Sequence, residues 1–314
     1  MTAPPSASQP DVGEAPALAP EGDSATTPES AVSPDTSREL LREKEARLRA
    51  GLARAGRLVV AFSGGVDSSY LAWAAHDVLG DAALAVTAVS PSYPAHHREM
   101  AERIVADFGL PHRFVETDEM TSPAYRANAP DRCYHCKSAL FERLDRLVAD
   151  EGFEAVAYGV NADDTSDFRP GHRAAAEHAV LSPLLEAELD KSEVRALSKA
   201  AGLPTWDLPA SACLSSRLPY GTEVTPERLR QVEAGEARLR ELGFSQVRLR
   251  HHGQLARIEI APEEMPRALD PEMAARLTAA IKPLGFRWVS LDLDGYRMGS
   301  LNEVLFIRSE QETR

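Results

Sequence analysis

The seven residues Ser63-Gly64-Gly65-Val66-Asp67-Ser68-Ser69 gather anion-binding chemistry at one point of the chain. They follow the apolar run LVVAF and precede an amphipathic stretch, so the pattern predicts a strand, a loop and a helix. Glycines at 64 and 65 permit positive φ and let successive backbone N–H groups converge on one anion. The start of the next helix adds partial positive charge, and Ser63, Ser68 and Ser69 add hydroxyl donors. Asp67 would repel a bare phosphate, so its natural task is to hold the Mg²⁺ that accompanies one. No Gly-Lys-Ser/Thr follows, which separates this loop from the Walker type and weakens a kinase reading. The plain structural alternative is an elaborate helix cap.

The second chemistry is sulfur. Cys133 and Cys136 stand in RCYHCK at the start of a predicted helix, and Cys213 stands far away in SACLSSRLPYG. A CxxC pair serves as a redox couple, half of a zinc site or part of an iron–sulfur site. Structural zinc normally takes four ligands, no second CxxC exists, and His135 inside the motif rarely reaches the same metal. A redox couple would leave Cys213 without a task. Three cysteines suit a [4Fe-4S] cluster with one iron free of protein ligand. A surface pair with an unrelated buried Cys213 is the bland alternative. Ser211, Ser215, Ser216 and Arg217 flank Cys213, and Arg217 is a permanent cation able to lower a thiolate's pKa or grip a phosphate.

Alternating elements must position these groups. Helices are expected over about 38–55, after Asp67, and over about 95–108, 137–150 and 191–201, with strands LVVAF, ALAVTAVS, RFVET and AVAYGV between them. Repeated βα units predict an α/β, doubly wound parallel sheet whose ligands sit beyond the carboxyl ends of the strands. Asn161, Asp163 and Asp164 follow the fourth strand at that edge, as candidates for ATP, metal or substrate; Arg169 and His172 are weaker ones. The long connector PTWDLPASACLSSRLPYGTEVTP then leads to a smaller α+β part. It comprises a helix over about 226–242, strands QVRLR and ARIEI, a helix over about 271–281, and the segments FRWVSLDLDGYR and LNEVLFIR. Arg248 and Arg250, two apart on a strand, share one face and could hold a phosphate or carboxylates; a solvated strand face is the alternative. His251 and His252 read as surface or local structural residues, Asp292 and Asp294 as turn punctuation. The expected boundaries are a tail at 1–37, a nucleotide domain at 38–205 and a substrate domain at 206–314.

Composition bounds the partners. The net charge is −13, and the first 37 residues hold seven prolines, six acids and no Lys or Arg, the signature of a disordered tail. That tail lacks the basic start and apolar block of a signal peptide, so a cytoplasmic location is expected. No apolar run approaches the roughly 20 residues of a membrane span. An acidic balance argues against tight binding to a long nucleic acid.

SGGVDSS after LVVAF resembles the PP-loop of the ATP pyrophosphatases, which implies the adenine nucleotide alpha hydrolase-like fold and ATP bound by Ser63, Gly64, Gly65, Val66, Asp67, Ser68 and Ser69. A narrower resemblance rests on six blocks in fixed order: SGGVDSS, RCYHCK, GVNADDTSDFRPG, ACLSSRLPYGTEVT, VRLRHHGQLARIEI and LDLDGYRMGSLNE. These are similar to the LarE family of sulfur transferases over nearly the whole chain after the tail. The resemblance implies adenylation of the carboxylates of pyridinium-3,5-biscarboxylic acid mononucleotide and their conversion to thiocarboxylates, on the route to the nickel-pincer nucleotide of lactate racemase. It further implies substrate contacts at Ser216, Arg217, Glu236, Arg248, Arg250 and Glu259. In some members the cysteine matching Cys213 is sacrificed; three-cysteine members hold a [4Fe-4S] cluster that carries a transferable sulfide. The presence of Cys133 and Cys136 favours the cluster form, with ATP and Mg²⁺, a sulfur donor protein or free sulfide, and a homo-oligomer as expected partners. A tRNA-thiolating enzyme, an amide-forming synthetase and a nucleotide-binding iron–sulfur sensor are the rivals.

Overall fold

The computed structural model describes residues 34–166, 170–209 and 212–297. Of the tail expected over 1–37, residues 1–33 lie outside the described residues, as do Arg169, Ser211 and the segment LNEVLFIR, whereas residues 34–37 open the first helix instead of continuing the tail. Residues 40–314 form one compact unit.

Its first half runs α1 (Pro34–Arg54), β1 (Leu58–Ala61), α2 (Val66–Leu79), β2 (Ala83–Val89), α3 (Ala95–Phe108), β3 (His112–Glu116), α4 (Pro123–Arg126), α5 (Arg132–Glu151) and β4 (Ala155–Tyr158). Then follow α6 (Pro170–Glu177), α7 (Pro183–Glu186) and α8 (Lys191–Ala200). The four strands pair in parallel in the order β3-β2-β1-β4. Alternation of side chains along each strand feeds two cores. Leu58, Val60, Ala85 and Ala157 face α2, α3 and α8, whereas Val59, Val86, Val115 and Val156 face α5 and α6. Helices therefore cover both faces, as the βα alternation requires. Successive connections leave β1 toward β2 on one side, and β4 lies on the other. The switch point of the sheet thus falls at the carboxyl end of β1, where the Ser63–Ser69 loop begins.

The second half holds α9 (Pro226–Glu241), β5 (Val247–His252), β6 (Leu255–Ile260), α10 (Met265–Ala268), α11 (Pro271–Ile281) and β7 (Trp288–Leu291). β5 and β6 form an antiparallel hairpin, and β7 adds in parallel to β6. Thr225 caps α9 by accepting from the backbone N–H of Arg228, and Asp270 caps α11 through Glu272 and Met273. The core of this sheet is built from Val232, Leu239, Leu249, Ile258 and Ile281, yet it also takes in Met120, Tyr125 and Cys136 from the first half. By packing, the segment with the cysteine pair belongs to the second core.

Two local departures from expectation matter. α5 starts at Arg132, five residues before the expected Lys137, so Cys133 and Cys136 both lie in its first turns, one above the other on the helix. The long connector has little regular structure beyond the 3₁₀ turn Leu214–Arg217, but it is anchored by hydrogen bonds and by Leu214, Leu218 and Val224, which are buried in the second core.

Gly235 of α9 lets that helix close on β5: a Cβ there would lie 2.2 Å from Cδ1 of the buried Leu249. Gly235→Val should therefore lower stability by about 1–3 kcal/mol through overpacking. Chemical denaturation monitored by circular dichroism checks this; an unchanged midpoint would show that α9 and β5 are less closely packed than the structure has them.

Candidate functional site

The loop after β1 is shaped by its own side chains. Gly64 has φ +75°, and a Cβ there would meet the carbonyl of His97 at 3.1 Å, so glycine is needed for both conformation and approach. Gly65 is extended at φ −83° and precedes α2, so only one of the two glycines uses its positive-φ freedom. The Ser68 hydroxyl accepts from the Ser63 backbone N–H at 3.1 Å and donates to the Gly65 carbonyl, to which Ser69 Oγ also donates at 2.7 Å. These hydroxyls hold the loop's shape.

Asp67 is engaged by cationic and amide donors. Lys191 Nζ meets Oδ2 at 2.5 Å, and Asn161 Nδ2 donates to Oδ1 at 3.2 Å. Asn161 is buried after β4, and its Oδ1 accepts from Asp163 N. Asp163 in turn accepts from the Lys191 backbone N–H, and Asp164 from Asn161 N. Gly159 brings β4 close: a Cβ would lie 2.8 Å from Ser68 N and 2.9 Å from the Asp67 carbonyl carbon. Lys191, absent from the loop motif itself, is the cation that meets the loop's aspartate. Its only sequence signal was its place at the start of a capped helix.

The connection from β2 to α3 joins this loop to the sulfur site. Tyr93 Oη donates to the Ser63 carbonyl at 3.1 Å and its ring lies near His97. Leu214 N donates to the Ser92 carbonyl at 2.9 Å, seating Cys213 beside the same connection. His96 and His97 stay neutral at neutral pH. Burial pushes His96 down to about 4, helped by the charge of Arg240; burial and His96 push His97 down to about 3.

Cys213 is held by its backbone. Arg217 Nη1 donates to the carbonyls of Ala212 and Cys213 at 2.7 and 3.1 Å, Arg132 Nη1 to that of Ser215 at 3.0 Å, and Arg250 Nη1 to that of Ser216 at 2.9 Å. All three arginines are buried: Arg217 is 0% exposed. Glu236 takes Arg217 at 2.8 and 3.2 Å, and Glu259 takes Arg250 at 2.9 and 2.7 Å, each as a two-point pair. Burial raises the Glu236 carboxyl, but the guanidinium of Arg217, together with those of Arg248 and Arg240, outweighs it and leaves the group below the usual carboxylate range. Tyr125 Oη meets Ser215 Oγ at 2.6 Å, and Asn128 Nδ2 reaches the carbonyls of Pro219 and Thr222 at 2.8 and 2.9 Å. The α4–α5 corner therefore grips the connector, and this brings CxxC and Cys213 together.

The thiols lie within electrostatic reach of one another. Burial raises Cys133 and Cys136, and for both the next cause is the charge of Cys213. Cys133 is exposed and the other two partly so, with no disulfide. Among the described residues no three His, Cys, Asp or Glu side chains close on one point as a single metal ion requires. A polynuclear cluster distributes its protein ligands over separate irons and so sets a wider spacing than a single ion does.

Of the other candidates, Arg248 shares its face of β5 with Arg250, lies with its guanidinium 5.1 Å from the Tyr296 ring centroid, and is lowered to about 10 by burial and by Arg217. Ser216 Oγ donates to the Cys213 carbonyl. His172 lies near Tyr158. His251 is buried against Phe286 and bonded to Gln231, whereas His252 is exposed. Asp292 pairs with Arg257 and accepts from Asp294 N in a turn. Tyr93, Tyr125 and Asn128 lay outside every motif, and Arg132 opens RCYHCK but drew no role of its own, since all four act through tertiary hydrogen bonds.

The chain is 45% identical over 266 residues to an uncharacterized protein of Synechocystis sp., a match that covers 85% of this chain and 99% of the relative. It is 38% identical over 266 residues to the pyridinium-3,5-bisthiocarboxylic acid mononucleotide synthase of Lactiplantibacillus plantarum, covering 84% and 96%. An uncharacterized protein of Methanocaldococcus jannaschii is 26% identical over 241 residues, covering 77% and 91%. No family model matches.

Glu236→Ala should destabilise the fold by about 3–5 kcal/mol, because it strands the buried Arg217 guanidinium. The double variant Arg217→Met with Glu236→Leu should lose far less. Urea denaturation of Arg217→Met, Glu236→Leu and the double variant tests this; additive losses would mean the pair is not coupled.

Proposed function

The chain belongs to the LarE family of sulfur transferases, and from that premise we propose that it adenylates the carboxylates of pyridinium-3,5-biscarboxylic acid mononucleotide and converts them to thiocarboxylates. The observation that carries this reading is the shared β2–α3 connection. Tyr93 and His97 contact the Ser63–Ser69 loop, and Ser92 holds the residue next to Cys213, which supports the reading by tying that loop and the Cys213 segment to one connection.

In this reading Ser63, Gly64, Gly65, Val66, Asp67, Ser68 and Ser69 receive the ATP phosphates at the start of α2. Asp67 holds Mg²⁺; its carboxylate already binds a cation, which fits that task, and Lys191 then serves the phosphates. The substrate carboxylate attacks the α-phosphorus and pyrophosphate leaves. A carboxylate oxygen is a poor leaving group and AMP a good one, so the acyl carbon becomes open to sulfide. Cys133, Cys136 and Cys213 would hold a [4Fe-4S] cluster, which when bound supplies the transferable sulfide. Arg248 meets the substrate's anionic group, with the neutral imidazoles of His96 and His97 adding no charge of their own. Arg217, Arg250, Glu236 and Glu259 serve the substrate through the loop they hold, with Ser216 at its edge. Among the described residues no helix is long and apolar enough to cross a membrane.

Anaerobic purification with iron and sulfide analysis, followed by mass spectrometry after turnover with ATP and the biscarboxylate, tests the reading. Iron and sulfide bound to a chain with Cys213 intact, together with AMP, pyrophosphate and thiocarboxylate, are expected. Loss of the elements of hydrogen sulfide from Cys213 would establish sacrifice and overturn the cluster route. Binding of ATP without pyrophosphate release would overturn the enzyme reading.

Gly159→Ala should weaken ATP binding roughly tenfold or more, because the added methyl meets loop backbone and no rotamer relieves it. Calorimetric titration with a non-hydrolysable ATP analogue checks this, with circular dichroism showing that the fold persists.

A further inference from the structure

The glycine that shapes the loop after β1 also leaves one peptide group free to turn over. Gly64 has φ +75° and no Cβ, so the plane between Ser63 and Gly64 can reverse at little steric cost. Its direction matters because the group is planar and trans, with the Ser63 carbonyl and the Gly64 N–H pointing opposite ways. Whatever holds that carbonyl aims the N–H. Among the described residues neither Gly64 N nor Gly65 N donates to a protein acceptor, so the loop satisfies neither donor itself.

One side chain holds the carbonyl. Tyr93 Oη donates to it at 3.1 Å. Burial raises the Tyr93 hydroxyl, so it stays protonated and a donor. Its own position is fixed from several sides. Tyr93 N donates to the Ser90 carbonyl at 3.0 Å, closing the turn after β2, and its ring centroid lies 5.9 Å from that of His97. Ser92 ties the turn down by donating to Glu119 Oε1 at 3.2 Å and accepting from Leu214 N at 2.9 Å. The start of α3 covers the same part of the loop: a Cβ at Gly64 would meet the His97 carbonyl at 3.1 Å and Ala101 N at 3.4 Å. The Ser63 carbonyl faces Tyr93, and the Gly64 N–H faces away from it.

We propose that Tyr93 is a positioning residue for adenylation, holding the Ser63–Gly64 peptide so that its N–H and not its carbonyl meets the pyrophosphate end of ATP. This deepens the reading of Ser63–Ser69 as the phosphate loop and rests on it. Tyr93 acts through the loop backbone. Without its hydroxyl the peptide samples the reversed orientation, which removes a donor and turns a carbonyl oxygen toward an anion. AMP lacks the β- and γ-phosphates, so its affinity should stay nearly unchanged.

Calorimetric titration of full-length wild type and Tyr93→Phe with magnesium pyrophosphate and, separately, with AMP provides the test. Phenylalanine keeps the ring beside His97 and removes only the hydroxyl. The variant should bind pyrophosphate about three- to tenfold more weakly, with the number of sites per chain unchanged, and AMP as well as wild type does. Equal pyrophosphate affinity overturns the proposal and leaves the phosphate loop standing. An equal loss for both ligands, or fewer sites per chain, marks a merely structural role and overturns it too. A wild type that binds no pyrophosphate overturns the loop reading and this proposal together. Should Tyr93→Phe not fold, wild type supplies a second measurement. The chain has a single Ser–Gly bond, Ser63–Gly64, so carbonyl-¹³C serine with ¹⁵N glycine selects that one amide in nuclear magnetic resonance. Its proton signal should move downfield on adding magnesium pyrophosphate, and an unmoved signal overturns the assignment.

Discussion

The constraint on which the rest depends is the hold of three buried guanidinium groups on one short loop. Arg217, Arg132 and Arg250 donate to the carbonyls of residues 212, 213, 215 and 216. Each comes from a different element: the loop itself, the start of α5 and strand β5. A loop without regular structure gains nothing from helix or sheet ladders, so its carbonyls need other donors if they are to be buried. Arginine supplies them in a planar fork whose direction is set by the opposite carboxylate. Glu236 and Glu259 fix two of those forks, and Asn128 fixes the third.

Burying such pairs is costly, and an apolar replacement of similar volume is often no less stable. Their value here is directional. They define where Cys213 stands relative to Cys133 and Cys136, and they link the second sheet to the cysteine helix. They also place positive charge behind the loop that carries Cys213. The same economy of position appears at the Ser63–Ser69 loop, where Gly64 admits the backbone of α3, Gly159 lets the end of β4 approach, and Asp67 is tied to Lys191 across the switch point.

Much of the fold was legible in the chain. The βα alternation, the parallel sheet and the helices over 95–108, 226–241 and 271–281 follow from apolar period and cap residues. The start of α5 was not, because RCYHCK carries no apolar period and its helical state depends on Arg132 and Tyr125 docking against the connector. Arg217, Glu236, Arg250 and Glu259 drew attention as charged residues in matching motifs, yet nothing in their spacing distinguishes a substrate contact from a buried clamp. Only the burial of both partners makes that distinction.

The chain by itself determined the chemistry available: a glycine-bearing loop with one aspartate after a strand, three thiols, and arginines near the third thiol. Those are properties of residue type and local spacing, which hold before folding. Tertiary structure alone decided which groups meet. Lys191 reaches Asp67 across 124 positions of sequence, Arg132 reaches Ser215 across 83, and Glu119 reaches Ser92 across 27. Hydrogen bonds of that range arise when two sheets and their helices close on one another, and no periodicity along the chain encodes them.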